Sequence, residues 1–216
     1  MFSDASFLPY IISAFIGIGL AAATGFRIFM PMFAVSLASY LGWIPMNESF
    51  DWLTGLPTLI ATGIAMIAEI LAYYIPFIDH LLDTLSVPLA TIAGSVMFAS
   101  QFADIGTFPQ WALALIAGGG TAAAISSGFA GTRATSTATT GGLGNSVVAT
   151  TETAGAGVMS FLALAAPVIA FIVVIALLIT IFVFGRKLWR KIKTFRQQND
   201  TKIIDVEAVE RRNIER

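Results

Sequence analysis

The chain has 216 residues, of which 56% are hydrophobic and 12% are charged. Soluble domains carry roughly 25% charged residues, so this composition is typical of a membrane protein. The chain contains no cysteine. Disulfide-stabilised folds, thiolate metal sites and cysteine nucleophiles are therefore excluded.

The charges are distributed unevenly along the chain. Only two of the 12 Lys and Arg residues, Arg27 and Arg133, precede residue 186, whereas eight of the 13 acidic residues do. Residues 186–216 hold the other ten basic and five acidic side chains. The pattern predicts a transmembrane helical domain over residues 1–185 and a basic, amphipathic cytoplasmic tail over residues 186–216.

Six uncharged runs are candidates for helices that enter or cross a membrane, at residues 5–26, 28–47, 52–68, 84–103, 105–132 and 153–185. A helix needs about 20 apolar residues to cross the hydrocarbon core. We therefore predict an all-α, polytopic membrane protein with five or six transmembrane segments. The region 7–43 is too long for one helix and short for two, so we expect two short helices joined by a break near 24–28.

The later segments follow from composition and from the helix-breaking residues. Segment 57–75 is expected to end at Pro76 and to be followed by a short amphipathic stretch, 77–85, before a span over 86–104. Further spans are expected over 109–130 and, as the longest aliphatic run, over 158–185. The polar stretch 131–153 predicts a second broken or re-entrant segment. Tryptophan is typical of segment ends at headgroup level, and all four tryptophans fall there: Trp43, Trp52, Trp111 and Trp189.

Residues 19–27 resemble residues 120–129. Both run from small residues into Gly-Phe and then to an arginine, Arg27 in the first case and Arg133 in the second. Paired, Gly-interrupted segments in two halves of a transporter often mark its substrate site. Chance recurrence of Ala and Gly in closely packed membrane helices explains the likeness equally simply.

Two charged residues lie inside apolar segments. Glu69 is near the centre of its segment, and Arg27 has no aqueous loop on either side in the sequence. An intramembrane ionisable residue is costly and is a functional candidate by default. We expect Arg27 to pair with Glu69, with Glu152 or with a bound anion, and the alternative for Glu69 is a purely structural acid.

Asp79, His80 and Asp83 follow Pro76. Asp79 and Asp83 are four residues apart, which places them on one face of a helix. They can line an ion or proton pathway, or with His80 form a weak candidate metal site, although one histidine with carboxylates is not the usual zinc set. Helix capping, in which an aspartate interacts with the start of a helix, is the simpler explanation of the same residues.

The stretch 131–153 is polar but carries only two charges, Arg133 and Glu152. Polar backbone at membrane depth is tolerated only where protein or a water-filled cavity surrounds it. Its Gly-Gly-Leu-Gly turn and Asn145 are candidates for binding a solute, phosphate or anionic headgroup through backbone N–H groups. It is not a Walker loop, and an exposed Ser/Thr-rich loop is the alternative.

Basic residues crowd the start of the tail and make it a candidate lipid-surface segment: Arg186, Lys187, Trp189, Arg190, Lys191 and Lys193. Lys and Arg next to a span favour the cytoplasmic side. We therefore expect the C-terminus in the cytoplasm, with the tail bound to anionic lipids.

Three segments carry a family resemblance: residues 25–31 (GFRIFMP), 75–83 (IPFIDHLLD) and 137–148 (TATTGGLGNSVV). Together they resemble an uncharacterised family of bacterial integral membrane proteins, labelled as a domain of unknown function, number 4126. Members tend to have Asn-Pro where this chain has Asn145-Ser146, and Glu-Asp where it has Glu152-Thr153. The resemblance implies a multi-pass protein of the bacterial inner membrane and names no substrate.

The function favoured by these residues is a small transporter or channel-like protein for an ion or small polar solute. Its pathway is expected to be lined by Arg27, Glu69, Asp79, Asp83, Arg133, Asn145 and Glu152. The alternatives are a lipid-handling protein that binds an anionic headgroup and a non-transporting, oligomeric membrane scaffold. A single histidine leaves no credible catalytic triad, so we expect no enzyme activity and no cofactor. Membrane lipids and a second copy are the expected partners, and nucleic acid is not.

Overall fold

The structure is a computed structural model that describes residues 7–46, 48–102, 106–187 and 190. Its regular structure within those residues is entirely helical. The helices are α1 (Phe7–Phe26), α2 (Phe29–Tyr40), a 3₁₀ helix (Glu48–Leu53), α3 (Leu56–Ala72), α4 (Pro76–Ala99), α5 (Thr107–Leu113), a π-helical segment (Ala114–Gly119), α6 (Gly120–Thr140), α7 (Asn145–Ala165) and α8 (Pro167–Lys187).

Five helical segments are long and apolar enough to cross a membrane: Phe7–Phe26, Leu81–Ala99, Thr107–Thr140, Asn145–Ala165 and Pro167–Lys187. The helices α2 and α3 are apolar but shorter. The prediction of an all-α, polytopic membrane protein is therefore confirmed.

Both predicted breaks are present, and the second is narrower than expected. The first lies at Arg27 and Ile28, between α1 and α2. The second is confined to the turn 141–144, and both sides of it are helical. Gly141 and Gly142 have φ angles of +64° and +91°, a left-handed conformation that glycine adopts readily and that commonly ends a helix.

Two expected boundaries were wrong. Residues 77–85 and 86–104 were expected to be separate elements, but one helix runs from Pro76 through Pro88 to Ala99. Residues 158–185 were expected to form one span, but α7 ends at Ala165 and α8 begins at Pro167. Ala166 has φ −146° and ψ 69°, because a proline disfavours helical backbone in the residue before it.

The helices α1, α4, α6 and α7 and the π-helical segment form a closely packed bundle. Glycines permit the closest approaches. A Cβ added at Gly118 would lie 2.5 Å from the Cβ of Phe98 and 2.7 Å from the carbonyl oxygen of Gly94. Small residues let the helices approach closely. The resulting van der Waals contacts hold helices together in a membrane, where no hydrophobic driving force acts between them.

The helices α2 and α3 form a hairpin beside this bundle. It packs on the bundle mainly through α2 and α7, whereas α3 packs on α2 and on the 3₁₀ helix. Thr62 is the one buried residue of α3. The α3 helix itself therefore buries little apolar surface, and the polar groups at its end matter correspondingly more.

The chain divides into two compact units, one ending at Leu178 and one beginning at Ile179. In the first unit, the start of α8 buries Ala170 and Val174. The ring of Phe171 stacks on that of Phe15, with centroids 4.4 Å apart. All contacts discussed below lie within the first unit.

Candidate functional site: a buried charge cluster

Six charged side chains from four helices and the α1–α2 break meet at one end of the bundle. They are Arg27 after α1, Glu69 on α3, Asp79 and Asp83 on α4, Arg133 on α6 and Glu152 on α7. We call this group the charge cluster. It forms because α1 and α3 end at this level and α4 begins here, while α6 and α7 meet at the nearby turn.

Arg133 is the central cation of the cluster. Its Nε lies 3.1 Å from Glu152 Oε1, and its Nη2 contacts Glu152 Oε2, which makes the pair bidentate. Its Nη1 contacts Asp79 Oδ1, and its Nε lies 3.4 Å from Asp83 Oδ1. A planar guanidinium suits such multiple carboxylate contacts better than an ammonium group does. One cation therefore binds three acids from two helices.

Arg27 is the second cation, and only 1% of its surface is exposed. Its Nη2 lies 3.5 Å from Glu152 Oε2 and donates to the carbonyl oxygen of Ala149 at 2.9 Å. Its Nε donates to the hydroxyl oxygen of Thr153 at 3.2 Å. Glu152 is thus shared by both arginines, and Arg27 joins the α1–α2 break to α7.

Glu69 does not form the ion pair with Arg27 that the sequence offered as one option. Its carboxylate oxygens accept hydrogen bonds from the backbone N–H groups of Ile28 and Phe29, at 2.9 and 3.0 Å. These groups are donors at the start of α2 that have no partner within the helix. A carboxylate at this position also interacts favourably with the helix dipole. Glu69 therefore fixes the end of α3 to the beginning of α2.

Tyr73, which the sequence did not single out, contacts both arginines. The Cζ atoms of Arg27 and Arg133 lie 3.8 and 4.3 Å from its ring centroid. Cation–π attraction is strongest where the groups are shielded from water, and Tyr73 is buried. The Tyr73 ring therefore attracts both guanidinium groups and offsets part of the repulsion between them.

Asn145, at the start of α7, completes the site. Its Nδ2 donates to Asp79 Oδ2 and to the Thr137 hydroxyl oxygen, each at 3.2 Å. Two buried polar atoms here have no hydrogen-bond partner: the Nη1 donor of Arg27 and the Oδ1 acceptor of Asn145. Such groups are rare in folded proteins, because an unsatisfied buried group costs free energy.

Among the side chains that the structure describes, the acids of the cluster outnumber its arginines. Four carboxylates face two guanidinium groups, so the fully ionised cluster carries two excess negative charges. The start of α2 offsets part of the Glu69 charge through its two N–H groups. The remaining acids, Asp79, Asp83 and Glu152, still outnumber the arginines. Unbalanced charge is expensive in a low-dielectric interior.

The cluster lies inside the bundle, at a distance from the turn 141–144 that closes this end. Arg133 precedes the end of α6 at Thr140 by seven residues, and Glu152 follows the start of α7 at Asn145 by seven. At 1.5 Å per residue, each lies about 10 Å from the turn 141–144. The Asp83 side chain is 22% exposed, compared with 3–5% for Arg133, Asp79 and Glu152. Asp83 thus occupies the more accessible edge of the cluster.

All seven residues suggested for a pathway therefore come together, at sequence separations of up to 125 residues. The two similar sequence segments also meet: the rings of Phe26 and Phe129 have centroids 5.0 Å apart, with Arg27 at the end of the first segment and Arg133 four residues after the second. Tyr73 and Thr153 were not anticipated, since an aromatic residue at a helix end usually indicates the membrane interface and a threonine carries no distinctive signal.

The weak metal hypothesis gains no support among the side chains that the structure describes. No group of three potential ligands suitable for a metal ion occurs among them. Asp79 and Asp83 contact Arg133 instead, and the side chain of His80 is outside the described part of the chain.

Only part of the candidate lipid-surface segment is described. Arg186, Lys187 and Arg190 are exposed. The others, Trp189, Lys191 and Lys193, lie outside the described residues. The lipid-surface role of these residues stays a prediction.

Comparison with known proteins identifies the family. The model of the domain of unknown function DUF4126 matches residues 14–187. The chain belongs to this family. The matched region includes every residue of the charge cluster. No curated protein and no solved structure matches the chain.

Proposed function

We propose that this protein is a small membrane transporter or channel-like protein, and that the charge cluster is the binding point on its pathway. The observation that carries the proposal is the excess of carboxylates over arginines in a buried site. A proton or a small cation is the solute that such an excess favours, because its binding reduces the net negative charge of four carboxylates beside two guanidinium groups.

The unpartnered atoms of Arg27 and Asn145 support the same function. The Nη1 donor of Arg27 and the Oδ1 acceptor of Asn145 can each bind water or a small polar solute, the molecules that satisfy buried polar groups without a protein partner. A dry scaffold would be expected to satisfy these atoms internally. The three acids that contact the arginines, Asp79, Asp83 and Glu152, also outnumber them.

Within this function, the cluster residues have different roles. Asp83, at the accessible edge, is the first carboxylate that an entering cation meets. Asp79 and Glu152 are the inner acids, and Arg133 is the internal cation that competes with the solute for them. Arg27 and Glu69 hold the α2–α3 hairpin against these residues and so fix the position of the hairpin.

We further propose a bacterial cytoplasmic membrane location with the C-terminus in the cytoplasm, and a tail that binds anionic lipid. The family resemblance and the basic residues after α8 support this. A reporter fused after Arg216 tests the orientation: activity only of a reporter that requires the periplasm would contradict it.

The transport proposal is tested with the full chain reconstituted in liposomes. An imposed gradient of H⁺, Na⁺ or K⁺ should dissipate faster than in protein-free vesicles for at least one of these ions. Asp83→Asn should slow this flux at least tenfold. Asp51→Asn is the matched control, since Asp51 is an exposed acid on the 3₁₀ helix, outside the cluster. Rates equal to those of protein-free vesicles for all three ions would overturn the proposal.

A further inference from the structure

A second site lies between the α2–α3 hairpin and α7. It is a cleft of about 460 Å³, within the usual range for small-ligand sites. Its lining includes Met30, Phe33 and Leu37 of α2, Met66 of α3, and Ser160 and Phe161 of α7. Phe161 in this lining is 69% exposed, so the cleft is open to the surrounding membrane and we expect a molecule of the membrane to occupy it.

The lining restricts the occupant to a largely apolar molecule. Apart from the Ser160 hydroxyl and the Trp43 indole N–H, its side chains are apolar. Water needs two to four polar partners to remain in a buried site, which this lining does not offer. Water is therefore a poor occupant of the cleft.

The surroundings of the cleft favour a lipid chain as its occupant. A flexible hydrocarbon chain is thin enough to enter a cleft of small-ligand size. The protein spans a membrane, so lipid acyl chains surround it.

Ser160 supplies a specific polar contact. It is 2% exposed, and its Oγ has no hydrogen-bond partner. Helical hydroxyls usually donate to the carbonyl oxygen one turn earlier, as those of Thr24, Thr62 and Ser95 do in this chain. The Ser160 hydroxyl does not follow this pattern and has no hydrogen-bond partner within the protein.

We infer that this cleft binds one acyl chain of a bilayer glycerolipid, with the ester carbonyl oxygen of the lipid accepting a hydrogen bond from Ser160. Trp43, 75% exposed, lines the cleft and is of the type that lies at headgroup level. Trp43 therefore marks the side from which the acyl chain enters the cleft. The inference does not rest on the proposed transport function.

The first test compares ester-linked and ether-linked phospholipids with identical chains. Delipidated full-length protein should bind the ester lipid roughly 3- to 10-fold more tightly, which is the range expected for one neutral hydrogen bond. Ser160→Ala should abolish this preference and leave ether-lipid binding unchanged. An equal preference in wild type and Ser160→Ala would overturn the role of Ser160.

The second test fills the cleft. A Cβ at Gly157 would lie 3.4 Å from the Met30 sulfur, an ordinary contact, so a Phe side chain there should enter the cleft. Gly157→Phe should reduce crosslinking of a lipid with a photoreactive acyl chain to α2 and α7 several-fold, with labelling of α8 unchanged. Ala154→Phe, on the exposed face of α7, is the control.

Should Gly157→Phe fail to fold, Ala165→Leu offers a milder filling of the same cleft. Undiminished cleft labelling in a folded, filled variant would overturn the acyl-chain site. Dimers of the wild type that dissociate in the filled variant would instead assign the cleft to a second copy, and would overturn the proposal equally.

Discussion

Removal of the central cation is the most direct test of the charge cluster. Arg133→Gln leaves Asp79, Asp83 and Glu152 around a neutral amide. Loss of one partner of a buried ion pair costs about 3–5 kcal/mol, because the remaining charge stays buried and uncompensated. Arg133 contacts three acids, so we expect the upper part of this range. That is a large fraction of a typical total stability of about 5–15 kcal/mol.

The free energy of unfolding of Arg133→Gln is measured by titration with a denaturing detergent and followed by circular dichroism. Arg186→Gln is the control, because Arg186 is exposed and surface changes usually stay within about 0.5 kcal/mol. Adding Glu152→Gln to Arg133→Gln should recover part of the loss. A loss below about 1 kcal/mol, or exact additivity of the two substitutions, would refute the network as described.

Three further changes test the surrounding structure by the same unfolding measurement. Glu69→Gln weakens a charged acceptor of two N–H groups and should cost about 1–2 kcal/mol; no loss would show that α2 does not depend on this contact. Tyr73→Leu removes two buried cation–π contacts and should cost about 2 kcal/mol, whereas Tyr74→Leu, at an exposed ring, should cost clearly less. Gly118→Ala should cost about 1–3 kcal/mol by overpacking. Gly120→Ala meets nothing within 4 Å and should be neutral or stabilising by up to about 1 kcal/mol, so equal effects of the two glycine substitutions would contradict the packing.

The members of the charge cluster could be predicted from the sequence for a simple physical reason. A charge inside an apolar segment needs a partner, and before residue 186 the chain has only Arg27 and Arg133 as cations. Few combinations were therefore possible. Which residues pair with each other was less predictable. Arg133 and Glu152 are only 19 residues apart, on either side of one turn. Arg27, in contrast, contacts a residue of α7 that is more than 120 residues away in the sequence.

The contact of Glu69 could not be predicted in the same way. Its partners are backbone N–H groups at the start of α2, and every residue except proline carries such a group. Only the break at Arg27 and Ile28 leaves these donors without a partner, and its exact position depends on how α1 and α2 pack. A side-chain pattern carries no information on this contact.

The boundary at Ala166 was missed although its signal was present. The aliphatic run 158–185 dominates the composition, so hydrophobicity alone predicts one continuous span. Pro167 restricts the residue before it, and this local effect ends α7. The N–H of Ala166 still donates to the carbonyl oxygen of Leu162, and that of Ala170 to Ala166, so helical hydrogen bonding resumes within one turn of the break.

The charge cluster and the apolar cleft share the α2–α3 hairpin and should therefore be coupled. Met66 lines the cleft three residues before Glu69, and Met30 lines it three residues after Arg27. Each side of the hairpin thus contributes to both sites.

Filling the cleft by Gly157→Phe should shift the hairpin and change the contact of Glu69 with the start of α2. A double-mutant cycle with Glu69→Gln measures this: we expect an interaction free energy above about 0.5 kcal/mol, because substitutions that share a packed element are rarely additive. Additivity would mean that the hairpin does not transmit packing changes between the two sites. Ion binding at the charge cluster, as proposed above, would then be independent of whatever occupies the cleft.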